Sequence, residues 1–179
     1  MVLLGLGLIC VASMIAALVV YVLNDRENLD ASSLRRGCTS HKTATLSEGV
    51  TAYMDEGPRD ATVLVIIHGL TIGSLAYESY HAPFIAAGYR VLSFDGYGRG
   101  FSDRVARNDL SIQHLSRQLE ELLDHLKIQR AILYGASLGA AIAAVFAASN
   151  PERVIAAGFQ CPLIETPPEP KLLIVKVTP

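Results

Sequence analysis

The chain lacks tryptophan, holds three cysteines in 179 residues, and has five histidines of which the last is His125. Cys10, Cys38 and Cys161 are odd in number and widely spaced, so the sequence indicates neither a disulfide framework nor a zinc site. An excess of charge of one sign is missing as well. Fifteen basic against seventeen acidic residues leave a net charge of -2, with no basic stripe of the kind that binds nucleic acid. There is no internal repeat and no low-complexity tract, so neither a solenoid nor a disordered chain is expected.

Charge is absent altogether from the first 23 residues. From Val2 to Leu23 the polar side chains are Ser13 and Tyr21, a run long enough to cross a hydrocarbon core at about 1.5 Å per residue. A cleaved signal peptide calls for a basic start and a short apolar stretch ending in small residues, whereas this run has no Lys or Arg before it and closes on Val-Tyr-Val-Leu. The reading is an uncleaved single-pass anchor over residues 1–23. A polar linker follows over 24–43, broken by Gly37, and then a domain over 44–179. Arg26, Arg35 and Arg36 beyond the run lean the domain toward the cytosol, although Asp25, Glu27 and Asp30 stand among them.

Past the linker, strand and helix patterns alternate. Residues 45–48 and 51–55 flank Gly49 as a short antiparallel pair. Residues 62–67 form a continuous Val/Leu/Ile run, as for a parallel strand covered on both faces. A helix over 74–87 and a second buried strand over 89–94 come next. Ser111 then caps a helix whose Ile112, Leu115, Leu119, Leu122, Leu123 and Leu126 share one stripe, opposite Gln113, Arg117, Glu120, Glu121 and Asp124. Residues 131–134 are a third buried strand, 138–148 an alanine-rich helix stopped by Asn150 and Pro151, and 154–159 a fourth strand. This order predicts an α/β fold of right-handed βαβ units with a mostly parallel sheet and flanking helices. Pro162, Pro167, Pro168 and Pro170 interrupt the chain near its end, and 172–177 starts another apolar element.

The chemistry concentrates at Gly135-Ala136-Ser137-Leu138-Gly139, between a strand and a helix. A nucleophile elbow needs a sharp turn that lifts a serine oxygen above the sheet, and small residues two before and two after make room for it. The turn also puts the backbone N–H of Leu138 at a helix start, where unpaired amides and the dipole favour a developing oxyanion. A second donor fits in His68-Gly69-Leu70-Thr71, directly after the 62–67 strand, with the N–H of Leu70 as the candidate. His68 precedes the nucleophile and sits at a strand end, so its expected role is to fix that loop. His41, His81, His114 and His125 have no matching acid or motif and read as surface or core histidines. A third cluster, residues 95–103, spaces its glycines as G-x-G-x-G rather than as a dinucleotide fingerprint, and reads as a structured turn in which Ser102 is a turn residue.

The His68-Gly69 loop, the 95–102 turn and the Gly135 to Gly139 elbow, in that order, resemble the α/β-hydrolase superfamily, with a likeness spanning about residues 45–159. Members with this combination look like monoacylglycerol lipases, esterases, C–C hydrolases and epoxide hydrolases. Because epoxide hydrolases and haloalkane dehalogenases carry aspartate at the elbow, Ser137 argues against both. The resemblance implies Ser137 as nucleophile and the N–H groups of Leu138 and Leu70 as the oxyanion hole. It implies no metal or organic cofactor. In the family the order is Ser, then Asp or Glu, then His, and no histidine follows Ser137 here; Glu152, Glu165 and Glu169 come too soon after it to be the acid. The expectation is that this chain stops before its acid and histidine, near the start of the cap, lacks the final strands, and is inactive alone.

Two functions compete at this level. One is a membrane-anchored serine hydrolase of lipid-like or apolar carboxylic esters, seen in part. The alternative is a non-catalytic, membrane-tethered fragment that binds a partner through an exposed sheet edge. A cleaved, secreted esterase is a third.

Overall fold

The computed structural model describes residues 2–23, 31–105 and 111–162, with side chains of the first segment described from residue 11. The stretch 172–177 and the expected start of a cap lie outside the described residues. Helix α1, Val2–Leu23, covers the whole uncharged run. Among the described residues no helix is long and apolar enough to cross a membrane; residues 11–23 alone fall short of the roughly 20 that a span needs.

The segment expected to be a linker is structured from residue 31. Helix α2, Ala31–Arg36, buries Ala31, and Arg35 anchors it by donating to the Phe101 carbonyl at 2.8 Å and pairing with Asp103 at 2.8 Å. A guanidinium offers several donors in a fixed fork, so one side chain holds a carbonyl and a carboxylate together. Strand β1 then begins at Lys42, inside the same expected linker.

Among the described residues, six strands form one sheet in the order β1-β2-β4-β3-β5-β6. They are β1 (Lys42–Thr45), β2 (Val50–Glu56), β3 (Val63–Ile67), β4 (Arg90–Phe94), β5 (Ala131–Ala136) and β6 (Val154–Gln160). The β1–β2 and β2–β4 pairs are antiparallel and the β3–β4, β3–β5 and β5–β6 pairs parallel. Strand β1 lies three residues earlier than the pattern 45–48 suggested. Ser47 explains the shift: its N–H and hydroxyl both donate to Glu121, at 2.9 and 2.6 Å, so that residue belongs to the turn rather than to the ladder.

Strand β3 shows why the sheet needs two covers. Successive side chains point to opposite faces. Val63, Val65 and Ile67 join the larger core with Leu115, Leu119, Leu122 and Phe146. Leu64 and Ile66 face the other way, onto Tyr77, Phe84 and Ile85. The first cover is α4 (Ile112–His125) with α5 (Leu138–Ser149), and the second is α3 (Glu78–Ala86) with a 3₁₀ turn over Ser74–Tyr77. Ser111 caps α4 as expected, its side chain accepting from the His114 N–H at 3.3 Å. The leucine stripe of α4 faces the core, where Leu119 and Leu122 are fully buried.

Leu119→Ala deletes three buried heavy atoms at the centre of the larger core, and the expected loss is about 2–5 kcal/mol. Urea unfolding of the variant should show a lower midpoint at an unchanged slope; an unmoved midpoint would contradict this packing.

Candidate active site

The parallel strands bring the carboxyl ends of β3 and β5 side by side, with Ile67 opposite Gly135. Ser137 joins β5 to α5 with φ 53° and ψ −115°, in the left-handed region that costs a non-glycine residue of order 1–3 kcal/mol. Its neighbours show what imposes that conformation. A Cβ on Gly135 would overlap the Gly139 carbonyl, and a Cβ on Gly139 would overlap the Ile67 carbonyl. Both glycines are needed because α5 starts directly against the end of β3. The Ser137 N–H is taken by the Gln160 carbonyl at 2.8 Å, which ties the elbow to β6. Its hydroxyl makes no capping bond to α5.

The loop after β3 lies on the elbow. A Cβ on Gly69 would sit 3.5 Å from Ser137 Cβ. Leu138 opens a 12-residue helix with no acid in its first turn, where unpaired N–H groups and the helix dipole create a positive end. Leu70 and Leu138 meet at a cavity of about 40 Å³, lined also by Ile67, Gly69, Phe94 and Ile142. The two residues expected to form the oxyanion hole therefore border one cavity beside Ser137.

His68 holds this loop in place. The Gly96 N–H donates to its Nε2 at 2.9 Å, so Nε2 is the bare nitrogen and Nδ1 donates to the Gly69 carbonyl at 2.6 Å. Burial, opposed by the Gly69 bond and by Asp95, lowers its pKa and keeps the ring neutral. Arg99 adds a brace by donating to the Leu70 carbonyl at 2.5 Å.

The bonding partners of Asp95, His81 and His41 have no counterpart in the sequence reading. Asp95, 1% exposed, accepts at Oδ1 from the N–H and hydroxyl of Ser74, at 2.7 and 2.8 Å, and at Oδ2 from the Phe101 N–H at 2.9 Å. Ser102 is the turn residue expected of it, donating to the Asp95 carbonyl and accepting from the Ala52 N–H. The signal for Asp95 is an acid closing a buried strand just before a glycine-rich turn. His81, read as having no acid, is bonded to Glu56 at 2.6 Å and to Ser93 at 2.9 Å; Glu56 lies 25 residues away, and no local pattern joins them. His41 likewise contacts Ser74 at 3.0 Å.

A strand–Gly-x-Ser-x-Gly–helix elbow on this strand order defines the site class of the α/β hydrolases. Residues 62–176 match the family model described as alpha/beta hydrolase fold, and the chain belongs to that family. It is 32% identical over 131 residues to the 2-hydroxy-6-oxononadienedioate/2-hydroxy-6-oxononatrienedioate hydrolase of Paraburkholderia xenovorans, a match covering 70% of this chain and 45% of that protein. The haloalkane dehalogenase of Psychrobacter cryohalolentis is 35% identical over 109 residues, covering 59% and 36%. A solved carboxylesterase structure from Nitrososphaera gargenis superimposes with a TM-score of 0.62 at 25% identity, over 66% of this chain and 44% of that one. The chain thus spans less than half the length of these proteins.

Two outcomes are expected from this geometry. Gly139→Ala should destabilise the fold by at least about 1–3 kcal/mol in denaturant unfolding, because the added methyl meets backbone on β3. His68 should make stability fall with acidity. Above pH 6.5 it is neutral folded and unfolded; below, the unfolded chain takes up a proton that the folded one resists, at a cost of up to about 1.4 kcal/mol per pH unit. Unfolding at pH 7.5 and 5.5 should show that loss, and His68→Asn should flatten the dependence.

Proposed function

We propose that this chain is the nucleophile-bearing part of a membrane-anchored serine hydrolase acting on apolar carboxylic esters. The observation that carries the proposal is the strained Ser137 at an elbow bordered by the Gly69–Leu70 loop. Ser137 attacks the ester carbonyl, and the N–H groups of Leu138 and Leu70 hold the oxyanion that develops. Similarity alone does not choose the chemistry, since relatives at comparable identity are named for C–C and carbon–halogen substrates. The identity of the elbow residue argues against the carbon–halogen chemistry, whose enzymes carry aspartate there, and a serine that acylates and is deacylated by water suits an ester. The solved carboxylesterase relative supports the same choice.

The serine needs a base. His41, His68 and His81 each engage both ring nitrogens away from Ser137, so none of these three is poised as its base. The anchor reading rests on the uncharged Val2–Leu23 run and its helix, and Arg26, Arg35 and Arg36 after it lean the domain toward the cytosolic side.

A fluorophosphonate probe tests the assignment on the membrane-expressed chain and on a version extended by the sequence encoded downstream. The extended form should label and cleave an apolar ester, and Ser137→Ala should lose both, with kcat/KM falling by about 10⁴ or more. Turnover unchanged in Ser137→Ala would sink the proposal.

A further inference from the structure

A second row of polar groups lines up outside the elbow, where the segment before β1 packs on the 95–103 turn. Cys38 Sγ is 3.4 Å from His41 Nδ1, His41 Nε2 is 3.0 Å from Ser74 Oγ, and Ser74 Oγ donates to Asp95 Oδ1 at 2.8 Å. The proton positions follow from the end of the row. A carboxylate only accepts, so the single hydroxyl proton of Ser74 points to Asp95 and its oxygen can only accept from His41. His41 Nε2 therefore carries hydrogen, and Nδ1 turns a lone pair toward Cys38. Ser40 Oγ shares that lone pair at 3.0 Å and lies 3.4 Å from Cys38 Sγ.

The imidazole is held firmly. Its side chain is 2% exposed and packs on the Phe101 ring at 4.9 Å. Burial lowers its pKa, with Asp95 and Glu78 opposing and His81 adding to the effect, so at neutral pH His41 is an uncharged base. Cys38 is half-buried, and its thiol is free.

We propose that Cys38, with His41 as its general base, is a nucleophile that accepts a long-chain acyl group from an acyl thioester. The sulfur forms a bond to the acyl carbon and the carbon–sulfur bond of the thioester breaks. The thiol proton passes to His41 Nδ1 and from there to the departing thiolate. An uncharged base suits attack on a carbonyl, where the proton leaves as the bond forms. Peroxide oxidation instead favours a preformed thiolate beside a cation, and the sulfur's contacts here are imidazole and hydroxyl. Leu34, four residues before Cys38, and Ile72 and Leu75, on either side of Ser74, are exposed apolar side chains, which suits a fatty chain. Cys38 also follows α1 closely, a position typical of S-acylated cysteines; that point alone rests on the membrane reading.

The test incubates the full 1–179 chain, in detergent micelles, with palmitoyl-coenzyme A and measures hydroxylamine-sensitive adducts by peptide mass spectrometry. Cys161, exposed just past β6, is the internal reference. Cys38 should be acylated on the order of a hundredfold faster than Cys161. That preference should collapse in His41→Gln and shrink in Ser74→Ala while the Cys161 rate stays constant, which shows that the chain remains intact. Equal rates at the two cysteines, an unchanged preference in His41→Gln, or sulfenic acid formed by peroxide at an unacylated Cys38 would each overturn the proposal.

Discussion

The carboxylate of Asp95 is the constraint on which the surroundings of the site depend. A charge this deeply buried is costly unless donors replace the water it has lost. Here three do so, two from Ser74 and one from Phe101. Because those donors come from different loops, satisfying one carboxylate fixes the segment after β3 against the turn after β4. The backbone of the same turn holds His68 through Gly96, and its Phe101 carbonyl and Asp103 hold α2 through Arg35. Gly100 is where this arrangement is tightest: with φ 47°, a side chain there would run into the Asp95 carboxylate.

The elbow is constrained differently, by exclusion rather than attraction. Helix α5 begins so close to β3 that neither Gly135 nor Gly139 has room for a Cβ. That contact bends the chain at Ser137, and the bend carries its residue next to Gly69. Burial of α5 against the sheet, through Ile142, Ala143 and Phe146, supplies the free energy that keeps a strained residue in place. Fold and site are coupled through this packing: the alanines that let α5 approach the sheet also keep Ser137 in its conformation.

Much of this was legible in the sequence because its signals are local. Val63 to Ile67 announces a doubly covered strand by its composition. The leucines of α4 announce a one-sided helix by their spacing, and the Gly-x-Ser-x-Gly letters imply the close approach that the structure contains. The features that escaped are those made by distant partners. Ser47 leaves the β1 ladder for Glu121, and His81 finds Glu56, across stretches that no periodicity connects. The 31–41 segment read as linker because it is polar and short of apolar residues. What docks it is one guanidinium and one imidazole, and pairing of that kind leaves no pattern in hydrophobicity.

The division of labour within the fold follows from these two kinds of constraint. The proposed nucleophile and oxyanion donors depend on backbone positions, which sheet order and glycine contacts set without help from any ionisable group. A base depends on a side chain free to exchange a proton, and two of the histidines with both ring nitrogens engaged serve the architecture instead: His68 through the loop and His81 through β4. Ser137 therefore holds its elbow geometry whether or not an imidazole reaches it. Strain at Ser137 is maintained by packing behind it, so pairing its hydroxyl with a general base requires no rearrangement of the elbow, only an imidazole brought within about 3 Å.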